Sequence, residues 1–172
     1  MFRALAGLKS GTKTPQDYKG PVRKTHSFDP RSFENAKRAI FLFGDPVAAV
    51  ISTRKNRYGR RHFLNCGASD RDPETTDIFR EDALNYEKMW HAWPQRQSFD
   101  LLCVRYEALY DHLNTIEEFF GRRLYLPPPK PRTTSLIDDV SALDLDAIRT
   151  TYANLIAAID RAPDLTIWRK QC

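Results

Sequence analysis

One stretch in the first third of the chain has the residue types needed to hold an anion. Ala39-Ile40-Phe41-Leu42-Phe43 is an unbroken apolar run, and Gly44-Asp45-Pro46 follows at once. Asp45 can cap a helix N-terminus, and Pro46 suits the first helical position. Val47, Val50 and Ile51 then give that helix an apolar face, and it is predicted to run toward Tyr58-Gly59. Strand, tight turn and capped helix in succession turn backbone N–H groups toward a phosphate or sulfate. Just beyond, five of the nine residues from Arg54 to His62 are Arg or Lys. That cluster has two readings. It is a solvated basic face, or it is a mouth that attracts polyanions: a nucleotide phosphosulfate, an acidic glycan or nucleic acid.

Several chemistries are excluded by the same inspection. No GxxxxGK[ST] sequence occurs, which argues against a Walker-type ATPase. No helix-turn-helix, zinc-finger or RNP pattern supports nucleic-acid recognition, which ranks last among the partners. Cys66, Cys103 and Cys172 are widely spaced and odd in number, with no CxxC pair. A disulfide framework and a zinc site are both disfavoured, no metal is expected, and a reducing cytoplasm is the expected location.

The elements that position these residues follow from periodicity. The 172 residues, 41% apolar and 28% charged with a net charge of +5, suit one globular domain over 1–172. No window reaches the roughly 18 apolar residues of a membrane span, and the N-terminal apolar stretch is too short for a signal peptide. Phe2–Leu8 and Gly20–His26 read as short strands, and Ala39–Phe43 as a strand buried on both faces. A helix is predicted over Thr76–Trp93, with Phe79, Ala83, Tyr86, Trp90 and Trp93 in one stripe. Phe99–Tyr106 reads as a second buried strand. The following helix would carry Leu109, Leu113, Ile116 and Phe119 on one face and end at Gly121. Leu126–Pro131 must be extended surface chain. A last helix over Leu143–Arg161 would bury Leu145, Ile148, Tyr152, Leu155 and Ile159. Strands alternating with helices predict a three-layer α/β domain with a mainly parallel sheet flanked by helices.

Three segments in order resemble the sulfotransferases that use 3′-phosphoadenosine 5′-phosphosulfate (PAPS). Lys24-Thr25-His26 is similar to that family's Lys-Thr-His segment at a strand end. Phe41–Ser52 resembles its strand, Arg-(Asp/Asn)-Pro turn and helix. Val104–Leu109 resembles its Tyr-Glu-Asp-Leu segment. The resemblance covers about residues 20–125 and implies a P-loop-type sulfotransferase fold. It also implies transfer of a sulfuryl group from PAPS to a hydroxyl on a glycan or small metabolite, with an anionic acceptor in keeping with the charge. Carried over residue by residue, His26 becomes the general base for the acceptor hydroxyl. Lys24 becomes the cation that balances charge on the transferring group. Ser52 becomes a contact to the nucleotide 3′-phosphate, and Tyr106 a neighbour of the adenine. Lys9-Ser10-Gly11-Thr12 is similar to the family's Lys-Ser-Gly-Thr phosphosulfate loop.

Two departures from the family bear on activity. Gly44 stands where the family has an arginine that grips the 3′-phosphate, and Arg54, Lys55 or Arg57 would have to compensate. Only eleven residues separate Thr12 from Lys24, whereas a parallel crossover needs about a dozen and normally a helix. Residues 9–12 are therefore a coincidental match, or the loop region has been shortened. The competing expectation is a noncatalytic sulfotransferase-like module that binds a nucleotide or a protein.

Overall fold

The computed structural model describes residues 26–33, 36–56, 59–121, 123–124, 126 and 137–170. The expected strands at Phe2–Leu8 and Gly20–His26 lie outside the described residues, apart from His26 itself, which is not in a strand. Lys9-Ser10-Gly11-Thr12, Lys24, Arg57 and the proline-rich 127–131 also fall outside them.

The two unbroken apolar runs are strands. β1 (Arg38–Phe43) and β2 (Asp100–Arg105) pair in parallel, with Arg38 opposite Asp100 and Phe43 opposite Arg105. A third strand, β3 (Leu165–Trp168), pairs antiparallel with β2, placing Leu101 opposite Trp168 and Val104 opposite Leu165. The sheet order is β1-β2-β3, with β2 in the centre. Central position explains its sequence: Leu101, Leu102, Cys103 and Val104 are all buried, as a strand covered on both faces requires.

Alternation along the strands sorts the helices into two layers. Phe41, Phe43, Leu101 and Cys103 face a large cluster with Val50 and Ile51 of α1 (Pro46–Lys55) and Phe63 of α2 (Arg60–Asn65). Met89 of α3 (Tyr86–Ala92), Ile148 of α5 (Ala142–Thr151), and Leu155 and Ile159 of α6 (Ala153–Asp160) complete it. Leu42, Leu102 and Val104 face the opposite way, onto Ile116 and Phe119 of α4 (Leu113–Phe120). The described residues thus form a mixed α/β domain with helices on both faces of a small sheet, each large apolar side chain contributing about 1.5–3 kcal/mol by burial. No helix among them is long and apolar enough to cross a membrane.

Local side-chain chemistry corrects several boundaries. The predicted helix over Thr76–Trp93 forms only as α3, because aspartates upstream take backbone donors into turns. Asp77 Oδ1 accepts from Phe79 N at 3.1 Å, and the two oxygens of Asp82 accept from Tyr86 N and Glu87 N at 2.9 Å each. Asn85, at φ 55°, marks the break. The helix predicted through Leu143–Arg161 is two helices, interrupted at Tyr152 (φ −105°, ψ 18°). The Tyr152 hydroxyl instead donates toward the carbonyls of Ile78 and Glu81, at 2.9 and 3.2 Å. Leu109 sits in turns before α4. The α1 helix stops at Lys55, where Asn56 caps it, short of the predicted Tyr58. Among the described residues the sheet has one parallel and one antiparallel pairing rather than a mainly parallel set, since the short β3 joins β2 in the opposite direction.

Candidate functional site

The parallel pair ends in an edge that collects the chemistry-bearing turns. The Tyr106 N–H donates to Phe43 O at 2.6 Å, so the segment after β2 is tied to the last residue of β1. From Phe43 the chain enters Gly44-Asp45-Pro46 and then α1. Asp45 is its cap: Oδ1 accepts from Val47 N at 2.9 Å, and its carbonyl accepts from Ala49 N at 3.0 Å. Pro46 occupies the first helical position, where its missing N–H costs nothing. Strand, turn and capped helix are therefore built as the residues predicted.

Gly44 is buried, and its surroundings are acidic. A Cβ placed there would stand 3.0 and 3.1 Å from Glu107 Oε1 and Oε2. The space beside the turn is thus taken by an exposed carboxylate from the β2 side. Arg105, the last residue of β2, is already committed elsewhere. Its Nε meets Asp164 Oδ1 at 2.6 Å, its Nη2 donates to Ile159 O and Ala162 O at 2.8 Å each, and its guanidinium lies 5.2 Å from the Phe43 ring. It clamps the α6–β3 connection onto the sheet.

The expected site residues fall on different elements. Tyr106 is at the edge, 41% exposed, so its ring is open to a planar ligand. Ser52 lies six residues along α1 from Pro46, about 9 Å by helical rise, and its Oγ accepts from Asn56 Nδ2 at 3.2 Å. Arg54 lies further along, its guanidinium 5.8 Å from the Phe79 ring. His26 packs edge-on against His62 of α2, ring centroids 5.2 Å apart and planes at 73°. The edge therefore unites Gly44, Asp45 and Tyr106, whereas His26, Ser52 and Arg54 contact other surroundings.

Around His26 the structure adds partners. Ser27 O accepts from Trp93 Nε1 at 2.8 Å. The Phe28 ring fills the space that a side chain at Gly67 (φ 77°) would need, and Lys88 Nζ stands 4.0 Å from its centroid. Behind His62, Cys66 Sγ lies 3.8 Å from His62 Nε2. Burial pushes the Cys66 thiol up to about 12, with Asp82 adding to the effect, so it stays protonated and can donate a weak S–H bond. His62 and Cys66 stand one helical turn apart. That spacing was visible in the sequence; the approach of His26 was not.

A separate cleft of about 380 Å³ opens beside α1, lined by Ile51, Arg54, Lys55, Phe79, Val140, Ser141 and Asp144. No cluster of His, Cys, Asp and Glu able to hold a metal ion occurs among the described residues.

No protein-family model, curated protein or solved structure matches this chain. Function therefore rests on the site. For a 3′-phosphoadenosine nucleotide the described edge fits in part. Tyr106 offers a stacking ring and a hydroxyl, and α1 offers the positive end of its dipole. Gly44 supplies no cation, and Asp45 and Glu107 bring negative charge to the place where a phosphate would sit.

Proposed function

We propose that this chain is a sulfotransferase-related protein that binds a 3′-phosphoadenosine nucleotide at the carboxyl edge of β1 and β2. The observation that carries this reading is the β1–Gly44-Asp45-Pro46–α1 unit, capped by Asp45 and hydrogen-bonded through Phe43 to Tyr106 on the parallel neighbour. Ligands of open α/β sheets collect at that edge. The fold that goes with this proposal is the P-loop-type sulfotransferase fold, and the reaction is sulfuryl transfer from PAPS to a hydroxyl of a glycan or small metabolite. The acceptor oxygen forms a bond to sulfur as the bond from sulfur to the 5′-phosphate breaks. The nucleotide leaves with that electron pair, as 3′-phosphoadenosine 5′-phosphate. In this scheme His26, which packs against His62 and not at that edge, would have to reach the acceptor to take its proton, and Lys24 would offset charge on the transferring group. No metal enters this scheme.

Glu107 supports a second reading, a noncatalytic module of the same descent. Its carboxylate lies against Gly44, where a phosphate-gripping cation would be needed. Transfer of label from radiolabelled PAPS to a panel of hydroxyl acceptors separates the two readings, alongside calorimetric titration with 3′-phosphoadenosine 5′-phosphate. Under the catalytic reading His26→Ala loses about 10²–10⁴-fold in turnover with nucleotide binding nearly intact. Lys24→Ala impairs both rate and donor affinity. Binding without transfer selects the noncatalytic module, and a wild type that does neither overturns the catalytic reading and the nucleotide-binding form of the module, leaving only a protein-binding one.

A further inference from the structure

The cleft beside α1 has a floor and a rim of different chemistry. Ile51 is fully buried, and Phe79 and Val140 are half-buried, giving an apolar base. Arg54 and Lys55 come from the last turn of α1, and Ser141 and Asp144 from the first turn of α5. The acidic member of the rim is internally neutralised. Asp144 Oδ2 accepts from Ser141 Oγ at 2.9 Å, and Oδ1 pairs with Arg80 Nη2 at 3.0 Å. Ser141 and Arg80 hold that carboxyl below the usual range, so it stays a compensated anion rather than a free one. Arg80 is in turn paired with Asp77 at 2.6 Å.

Arg54 differs from these. One face of its guanidinium lies over the Phe79 ring, and although its charge acts on Asp144 across the rim, it makes no close ion pair with a carboxylate of the described residues. Asp144 is already held by Ser141 and Arg80, so the in-plane N–H groups of Arg54 face the cleft's one acid without bonding to it. The capped start of α5 adds its positive end to the same rim. The volume lies within the roughly 300–1,000 Å³ of small-molecule sites, which combine apolar walls with a few fixed polar groups.

We infer that this cleft binds a small amphipathic anion, its apolar body on Ile51, Phe79 and Val140 and its acid group on the guanidinium of Arg54. A planar apolar body suits the surface left by Phe79, and a carboxylate, sulfate or sulfonate suits the fork of Arg54. The site lies at the far end of α1 from Gly44-Asp45-Pro46, so it is independent of the proposed nucleotide edge.

Calorimetric titration with 2-naphthalenesulfonate tests the inference, with neutral 2-naphthalenesulfonamide and inorganic sulfate as comparisons. The sulfonate binds, the sulfonamide binds about tenfold or more weakly, and sulfate alone gives no heat at about 1 mM. Arg54→Gln, at an exposed position, weakens the sulfonate by about tenfold and leaves the sulfonamide unchanged. Val140→Trp fills the floor and abolishes both, and its thermal transition is measured to show that it folds. Equal affinity for sulfonate and sulfonamide overturns the inference, as does an Arg54→Gln variant that binds like the wild type. Displacement of the probe by 3′-phosphoadenosine 5′-phosphate would assign the cleft to the nucleotide and overturn it as an independent site. A failure to bind nucleotide, with the sulfonate still bound, leaves it standing.

Discussion

Replacing Gly44 by arginine and neutralising Glu107 should strengthen the proposed nucleotide edge, in a fixed order. Glu107 presents both oxygens to the Cβ position of residue 44, at 3.0 and 3.1 Å. A phosphate held against the turn about 6 Å from that carboxylate is repelled by about 0.7 kcal/mol at a water-like dielectric and about 3 kcal/mol at an effective value of 20. Glu107 is exposed, so the low end applies, and Glu107→Gln alone should tighten 3′-phosphoadenosine 5′-phosphate by only about threefold. Gly44→Arg adds a charge-assisted contact of about 1.5–3 kcal/mol, or about 10- to 150-fold, less whatever Glu107 takes by pairing with the new guanidinium. The double variant, free of that competitor, should bind tightest. The three atoms nearest a Cβ at position 44 all belong to the end of the Glu107 side chain, which must shift by a few tenths of an ångström, so Gly44→Ala should stay close to the thermal transition of the wild type. Titrations at about 50 mM and 300 mM salt complete the test, because the gain from Gly44→Arg should shrink as screening increases. If Glu107→Gln binds no better than wild type and folded Gly44→Arg gains nothing, the placement of the 3′-phosphate at this turn is wrong.

Three further outcomes are expected from the packing. Tyr152→Phe removes a buried hydroxyl serving the carbonyls of Ile78 and Glu81, costing about 1–3 kcal/mol and lowering Tm in calorimetry by about 2–4 °C for each kcal/mol lost. Asp45→Ala strips the α1 cap and should cost about 1 kcal/mol in urea titration, with the sheet intact by circular dichroism. Burial pushes the thiols of Cys66 and Cys103 up to about 12 from a usual 9.0. Unfolded thiols release protons that the folded ones keep, so this stability is present below pH 9 and is lost as pH rises from there toward 12. Cys103→Val should flatten the alkaline fall in unfolding free energy by up to about 1.4 kcal/mol per pH unit, and an unchanged slope would contradict the linkage.

Much of the sheet was legible because β1 and β2 are buried on both faces and so carry continuous apolar runs. The Asp45–Pro46 helix start was legible for a local reason, a side chain bonding two residues away. What escaped depends on residues distant in sequence. β3 is only Leu165-Thr166-Ile167-Trp168, too short to declare itself without β2 beside it. The stripe from Phe79 to Trp93 does bury Ala83, Tyr86 and Trp93, yet Asp77, Asp82 and Asn85 break the helix beneath it. Tyr152 was expected on a buried face and is buried, but the carbonyls its hydroxyl reaches lie over seventy residues away. Of the candidate site, Tyr106 and the Gly44–Pro46 turn were readable from strand ends. Glu107 beside Gly44, His62 beside His26 and the cleft at Arg54 each need a tertiary approach that no spacing encodes.

The attachment of residues 26–33 has a consequence of its own. This segment joins no strand of the sheet; it is fastened by Ser27 to Trp93, by Phe28 in the notch at Gly67, and by His26 against His62. The proposed base is thus carried on a clasp rather than on a strand, and such a segment can open for less free energy than melting the core. Any side chain at position 67 would collide with the Phe28 ring, and residue 67 is not among those proposed to do chemistry. One methyl group added there should unfasten His26 while leaving β1, β2 and their helices as they are, so the proposed reactivity and the architecture would be lost separately.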